Sequence, residues 1–598
     1  MIQRACVVTT LGLSLALAST AVSRPAHACG GTFCDGGANP MPVDQTGETI
    51  LFVIDQGHVE AHIQIQYDPD SGAQQFAWVV PVTALPEFSV GSQPLFTNLL
   101  DGSVPAYGST RWNEPCAWDS DGDWDDGCDD SGDDGDSFRL DLGLPGEDPE
   151  LPEVLVAKTV GAFEVFVLDG GTVQGVMQWL GDNGFAQDQT AEPILQEYLD
   201  EGHLFAAFRL ATRAEASEIH PITLRFAGDE PCVPIRLTRI AAREDMEIRA
   251  LFLGDSRVAS SNYRHVTLNP LRLDWLASGA NYRELVSRAV DEPGADGHAF
   301  VTEYAGPSDV VMRQGLLDPR WDPNAFAQAQ GLGEVADLLL EQGLVGYDPA
   351  GECAGLHPLV EGMVAQFLPT PEEVPLSMLC EKLGSFVDAV DPMAWDGLQF
   401  AAQMQERIVD PGLRANELLD TWPVLTRLYT TLSPHEMTMD PMFHPVPEQP
   451  EQPVLTQLGA RNSFCDGDVS FSLPDGRLVA MDGFGAWPEI APDQMPWAQT
   501  VEYLPAAGAP VVEVDHRPLI DSLLEAWNAE HGPPRSPVSA WCDGTTGDTY
   551  GGPNGGVITG NQSDEAPSGC GCQSRGTGTA EAAWWSLVLL GLRRRRRS

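Results

Sequence analysis

Lysine is almost missing from this chain. Lys158 and Lys382 are the only two in 598 residues, against 87 Asp plus Glu, and the formal net charge is −54. Without the leader and tail described below, 25 basic and 86 acidic residues remain, a net charge near −61. Nucleic acid and anionic lipid carry the same sign, so both are excluded as partners of the bulk surface. An acidic, lysine-poor exterior suits salt water, where self-repulsion is screened over roughly 3–10 Å. Signature motifs are absent too: there is no GxSxG, no glycine-rich phosphate loop and no local Cys/His pairing. The cysteine spacings do not resemble a zinc site, because no second CxxC or paired histidine follows.

Long apolar runs are scarce as well. The run Ala582–Leu592 is eleven residues. As a helix it reaches about 16 Å, roughly half of the ~30 Å hydrocarbon layer. It follows Cys570-Gly571-Cys572 and precedes Arg593–Arg597, a cationic block that would hold that end in the cytoplasm. This order of cysteine, apolar run and arginines resembles the myxobacterial C-terminal sorting tail. The resemblance implies a sorting protease, cleavage near the cysteines and retention at the cell surface, through a lipid on Cys570 or Cys572. A plain transmembrane tail anchor is the alternative, in which the membrane is met through the tail itself.

At the other end, residues 1–28 read as a signal peptide: Arg4, an apolar stretch from Ala5 to Val22, then Ala26-His27-Ala28 before Cys29. Pro25-Ala26-His27-Ala28 lacks the leucine of a lipobox, so ordinary cleavage is favoured over a lipoprotein. Export implies an oxidising compartment and disulfides. Leaving out Cys6 and the tail pair, nine of twelve cysteines remain, an odd number. Either one thiol is free, or Cys29 carries a lipid and the other eight pair. Cys29 with Cys34, and Cys116 with Cys128, are close enough in sequence to be candidate pairs.

Periodicity divides the remainder. Residues 29–306 read as a β-rich α+β domain. Ala61, Ile63, Ile65 and Tyr67 alternate with polar neighbours, residues 75–82 form a continuous apolar run, and further alternation covers 204–210, 222–226, 233–237 and 246–252. Two helices interrupt these strands, one through Val173, Val176, Met177 and Leu180, the next from Pro193 to Gly202. Strands and helices do not alternate strictly, which argues α+β with a mixed sheet. Residues 307–443 read as mainly helical, the pattern continuing through Leu418, Leu419, Trp422, Leu425 and Leu428. A Pro-rich linker (444–453), a small mixed segment (454–542) with a hairpin at Asp475-Gly476, and a Gly-rich stalk (543–569) lead to the tail at 570–598.

Several of these stretches carry a resemblance. CGGTFC at 29–34, ETILFVIDQGHVEAHIQIQY, FAWVVPV, WLGDNGF, the block from PCVPIRLTRIAA to NYRHVTLNPLRLDW, and AVDEPGADGHAFVTEYAG are similar to the uncharacterised bacterial family known as domain of unknown function 2330. The similarity covers roughly residues 29–310. It implies an exported protein and brings no catalytic residues.

Four constellations could carry chemistry. His58, Glu60 and His62 share one face of a strand, but residues four apart on a strand lie about 13 Å from each other, too far for one zinc ion. An exposed polar strand is the simpler reading. His435, Met437, Met439, Met442 and His444 are soft ligands of the kind copper prefers, yet a packing segment explains them more simply. Asp119, Asp121, Asp123, Asp125 and Asp126 open a run of ten aspartates ending at Asp136. Carboxylates at alternating positions can wrap calcium, the one cofactor considered, although Trp124 and Asp130 break EF-hand spacing; a solvated acidic loop is the simpler reading. Asp291, Asp296, His298 and Glu303 read as a turn before a strand.

The expectation is therefore an exported protein, tethered at the cell envelope through its C-terminus, with a non-enzymatic binding or structural role toward an extracellular ligand. The alternative is an exported hydrolase or peptidase with a dispersed active site, since triads need not be local in sequence. That alternative requires a deep pocket uniting a Cys, Ser or His with carboxylates. The tail makes a sharp prediction. Intact mass of the mature protein should lack Arg593–Arg597, and changing Cys570 and Cys572 to Ser should release it from the surface. Arginines retained on the mature chain would make the tail a short anchor instead.

Overall fold

Successive residues of the strand Gln45–Asp55 face two different cores. Ile50 and Phe52 enter one cluster, Leu51 and Val53 another, and none is more than 2% exposed. Its parallel neighbour Ala242–Gly254 does the same, with Ile248, Ala250 and Phe252 on one side and Leu251 and Leu253 on the other. Both strands are thus buried on both faces, as parallel pairs commonly are. The computed structural model describes residues 32–34, 45–67, 76–113, 150–185, 189–211, 218–240, 242–463, 468–482 and 486–532. All lie in the unit Met1–Cys542; the second unit, Asp543–Ser598, is outside the described residues.

These two strands sit inside a ten-stranded mixed sheet. Its order is Val511–Asp515, Ala498–Tyr503, Arg264–Leu268, Ala299–Pro307, Val424–Leu432, Ala242–Gly254, Gln45–Asp55, His58–Tyr67, Ile222–Ala227, Glu87–Val90. A two-residue loop, Gln56-Gly57, joins the strands at 45–55 and 58–67 with positive φ at both positions, the geometry that matches strand twist. One face packs on a five-stranded antiparallel sheet, which contributes Trp78, Val80, Phe163, Val165 and Phe208. The other face is covered by the helices Gln93–Ser103 and Asp410–Thr421 through Leu95, Phe96, Leu99, Ala415 and Leu418. The outer face of the five-stranded sheet carries the helices Val173–Asp182 and Ala191–Asp200. The layers run helix, sheet, sheet, helix. Each large apolar side chain buried between them contributes about 1.5–3 kcal/mol before entropy is counted.

The α+β reading holds, with three local corrections. Residues 233–237 do not form a strand: Pro234 precedes a single helical turn, Ile235–Thr238. Helix does not continue through Leu425 and Leu428. It ends at Thr421, Pro423 follows, and Val424–Leu432 is a central strand of the large sheet. Its Leu spacing imitates a helical face, but residues 425–432 are buried without interruption, and periodicity cannot assign such a run. The Pro-rich stretch 444–453 is packed rather than free. Phe443–Pro445 pairs with Val258–Ser260, Val446 is 1% exposed, and Gln452 bridges Ala305.

Helices between Pro323 and Val409 form a cluster of their own around Phe326, Met363, Phe367, Leu379, Phe386 and Phe400. The disulfide Cys353–Cys380 lies in it, with Cα atoms 6.1 Å apart. A loop of that size contributes about 3.5 kcal/mol in the chain-entropy account. Among the described residues no helix is long and apolar enough to cross a membrane. Further along, the hairpin at Asp475-Gly476 joins Asp468–Ser472 to Leu478–Asp482, with Gly476 at φ 88°.

One buried acid stands out. Glu48 is 6% exposed and its Oε2 has no partner. Burial, then the charge of Asp440, pushes its pKa up to about 7, against a weaker hydrogen bond with Thr238. The folded state therefore holds this proton more tightly than the unfolded state, and stability should fall as pH rises from about 4.5 to about 7. Urea titrations should show Glu48→Gln gaining roughly 2–3 kcal/mol over wild type at pH 8 and little at pH 4. Equal effects at both pH values would contradict the assignment.

Candidate functional site

Two neighbouring strands part company at the heart of the candidate site. Arg264–Leu268 runs parallel to Ala299–Pro307, but they pair only at Arg264 with Ala299 and His265 with Phe300. Beyond those pairs, Val266, Thr267 and Leu268 on one strand and Val301, Thr302 and Glu303 on the other line a cavity of about 700 Å³. Tyr107, Trp275 and Leu273 add apolar wall, and Arg257 and Glu502 add polar groups. A mostly apolar cavity with a few convergent polar groups is the usual form of a small-molecule site.

The polar groups are set by register. His265 lies opposite Glu502 on the strand Ala498–Tyr503, so their side chains share a face, with Nδ1 3.1 Å from the Glu502 carboxylate. The other ring nitrogen is 3.1 Å from Thr302 Oγ1. Arg257 donates from its two terminal nitrogens, to Thr302 Oγ1 at 2.7 Å and to the Pro450 carbonyl at 2.8 Å, while its Nε has no partner. Burial holds the His265 pKa down, against the hydrogen bond with Glu502. Burial also lowers Arg257, partly opposed by the charge of Glu502.

Glu303 is an extra residue in its strand. The register passes from Thr302–Leu428 to Tyr304–Arg427, so Glu303 forms a bulge. Thr302 and Glu303 both line the cavity although they are neighbours in sequence, which regular alternation would forbid. Glu303 is ion-paired with Arg427, both at most 5% exposed, and it also bonds the Tyr282 hydroxyl. Burial raises the Glu303 pKa, and the Arg427 charge opposes the rise.

Two smaller recesses hold constellations expected from sequence. His58, Glu60 and His62 do lie on one strand, but the face is not exposed: Glu60 is 5% and His62 3% exposed. Its partner strand Ile222–Ala227 and the helix Asp410–Thr421 cover them. His62 bonds Glu60 at 2.9 Å and Thr223 at 3.0 Å, and Arg414 clamps both oxygens of Glu60. Burial alone would raise Glu60, yet His62 and Arg414 bring it to about 2. A recess of about 380 Å³ beside His62 includes Lys158. The turn expected at 291–298 is present, and it forms part of an acidic recess of about 560 Å³ with Asp291, Asp296, His298, His435 and Glu436. Glu303 is not part of it.

The methionine and histidine run is a packing segment. Met437 is fully buried, Met439 is exposed, and His444 bonds the Leu504 carbonyl. Among the described residues no three His, Cys, Asp or Glu side chains are placed to hold a metal ion. Asp119, Asp121, Asp123, Asp125 and Asp126 lie outside the described residues, as do Cys29, Cys116, Cys128, Cys570, Cys572 and the side chain of Cys34. Cys232 is a free thiol, pushed well up by burial, which removes the alternative in which eight cysteines pair.

Residues 24–313 match the model of DUF2330, described as an uncharacterized protein conserved in bacteria. Neither a curated protein nor a solved structure matches the chain. Arg257, His265, Thr302 and Glu303 fall within the matched residues, and Glu502 falls outside them. The family-like blocks NYRHVTL and HAFVTEYAG supply three of these side chains, but nothing in their spacing announces a site.

The buried pair permits a direct test. Arg427→Met strands the Glu303 carboxylate in the sheet and should cost roughly 3–5 kcal/mol in chemical denaturation. Adding Glu303→Met should restore most of the loss. A double variant as unstable as the single one would show that the pair is not the cause.

Proposed function

We propose that this chain is an exported, envelope-tethered protein that binds a small, partly apolar organic molecule in the cavity between the strands Arg264–Leu268 and Ala299–Pro307. One observation carries the binding reading: an apolar-walled space of about 700 Å³ whose polar groups converge from three strands and one loop. The leader at 1–28, the tail at 570–598 and the disulfide Cys353–Cys380 support export and tethering. With a surface charge near −61, the approach of anions is disfavoured, so a neutral ligand suits the cavity best. The sorting protease and the membrane are then partners of the tail alone, and calcium, if used, belongs to the aspartate run.

A hydrolase was expected to unite a Cys, Ser or His with carboxylates in a deep pocket. His265, Glu502 and Glu303 around one cavity favour that second reading, and ligand capture is common to both.

A neutral apolar fluorophore, N-phenyl-1-naphthylamine, should bind saturably and quench Trp275. Trp275→Ala or Tyr107→Ala should weaken binding about tenfold, since an aromatic contact is worth about 0.5–1.5 kcal/mol beyond its buried area. Absence of saturable binding, or binding indifferent to both substitutions, would contradict the proposal.

A further inference from the structure

We propose that Thr302, His265 and Glu502 form an acyl-transfer relay that hydrolyses a neutral carboxylic ester held in the cavity. The inference rests on the ligand-binding reading above and deepens it.

The direction of each proton follows from the partners. Arg257 has donors only, so its 2.7 Å contact with Thr302 must end on an Oγ1 lone pair. The Thr302 proton then points elsewhere, and the other partner of Oγ1 is His265 Nε2 at 3.1 Å. Nε2 is therefore an acceptor, which places the ring proton on Nδ1, donating to Glu502 at 3.1 Å. Carboxylate, imidazole and hydroxyl are aligned as in a nucleophile activated through an oriented base. Three separate strands hold them, and the bulge at Glu303 follows Thr302 directly. Arg257 adds a charge: its NH₂ group donates to Oγ1 and stabilises the negative charge that develops there.

The step balances with water as the only co-reactant. Oγ1 attacks the ester carbonyl carbon as its proton passes to Nε2. The bond from that carbon to the alcohol oxygen breaks, and the alcohol leaves with the proton from Nε2. Water then attacks the acyl-threonine carbon, giving one proton to Nε2, and Oγ1 recovers that proton as the acid departs. No electrons are exchanged beyond these bonds. The apolar walls at Trp275, Leu273 and Tyr107 fit an apolar acyl chain.

A purely structural cluster would also satisfy these three side chains, so the test needs a chemical readout. The purified chain should turn over p-nitrophenyl esters of short and medium acyl chains. An alkyl fluorophosphonate should form an Oγ1–P bond at Thr302 with loss of fluoride, located by peptide mass. Thr302→Val should abolish the adduct and lower turnover by at least ~100-fold, and His265→Gln should lower it comparably. Thr302→Ser, which keeps the hydroxyl, should regain labelling and turnover relative to Thr302→Val. Each variant is first shown to bind N-phenyl-1-naphthylamine, which confirms a folded cavity. Fluorophore binding with neither adduct nor turnover overturns the relay and leaves ligand capture standing. Turnover that survives Thr302→Val overturns it too. Failure of fluorophore binding in the unmodified chain overturns both readings.

Discussion

The central strands of the ten-stranded sheet, buried on both faces, hold a charge at low cost only when it is paired, and that constraint governs much of the molecule. Leaving one member of a buried pair alone costs several kcal/mol, because its partner stays desolvated. Glu303 meets Arg427, Glu60 meets Arg414 and His62, and Glu218 meets Arg407. Every cation in these pairs besides His62 is arginine. The planar guanidinium can bond two carboxylate oxygens or reach backbone carbonyls at once, as Arg427 does with Leu100, whereas a lysine offers a point charge. The scarcity of lysine thus has an interior reading beside the exterior one: where a cation is buried here, it must satisfy several acceptors.

The same constraint explains why the cavity lies where it does. Parallel pairing between Arg264–Leu268 and Ala299–Pro307 stops after two residue pairs. Past that point the backbone and side chains lose their ladder partners, and a packed core would have to fill the gap. Instead the strand turns bulged at Glu303, the charge goes to Arg427, and Thr302 meets Arg257 and His265. The polar groups of the opening are satisfied by one another except at Arg257 Nε. His265, Thr302 and Glu502 are each carried by a strand of the large sheet, with Arg257 on a loop, and side chains carried by regular elements hold their geometry better than side chains on loops, as selective binding and catalysis both require.

Much of the fold was legible because many strands alternate. Ile222, Leu224 and Phe226, or Met246, Ile248, Ala250 and Phe252, display a period of two, and the helix from Val173 shows its apolar face through Val176 and Leu180. Val424–Leu432 was not legible, because burial on both faces removes alternation and its leucines fall three and four apart. The polar face of His58, Glu60 and His62 was legible as one face, yet its burial was not, since Arg414 arrives from 354 residues away. The cavity shares that difficulty: His265, Thr302 and Glu502 come together across 37 and 237 residues. Short-range spacing carries no trace of such a site. Cys353 and Cys380 lie 27 residues apart, farther than the pairs that sequence proximity suggests, so spacing alone does not single them out.

The acidic exterior and the cavity pull the His265 imidazole in opposite directions. A net charge of −54 favours protonation of any histidine, but that field is screened over about 8 Å at physiological ionic strength and more strongly in salt water. Burial acts locally and is not screened, and it disfavours the charged ring, with the Arg257 charge adding to it. The local effect dominates over the Glu502 hydrogen bond that opposes it, so the ring stays neutral and keeps Nε2 free to accept. The field of the acidic exterior is therefore kept from reaching the cavity by burial, which also forces the arginines of the interior into pairs. A neutral base inside an anionic shell favours a ligand without negative charge, which ties the chemistry of the interior to the composition of the surface.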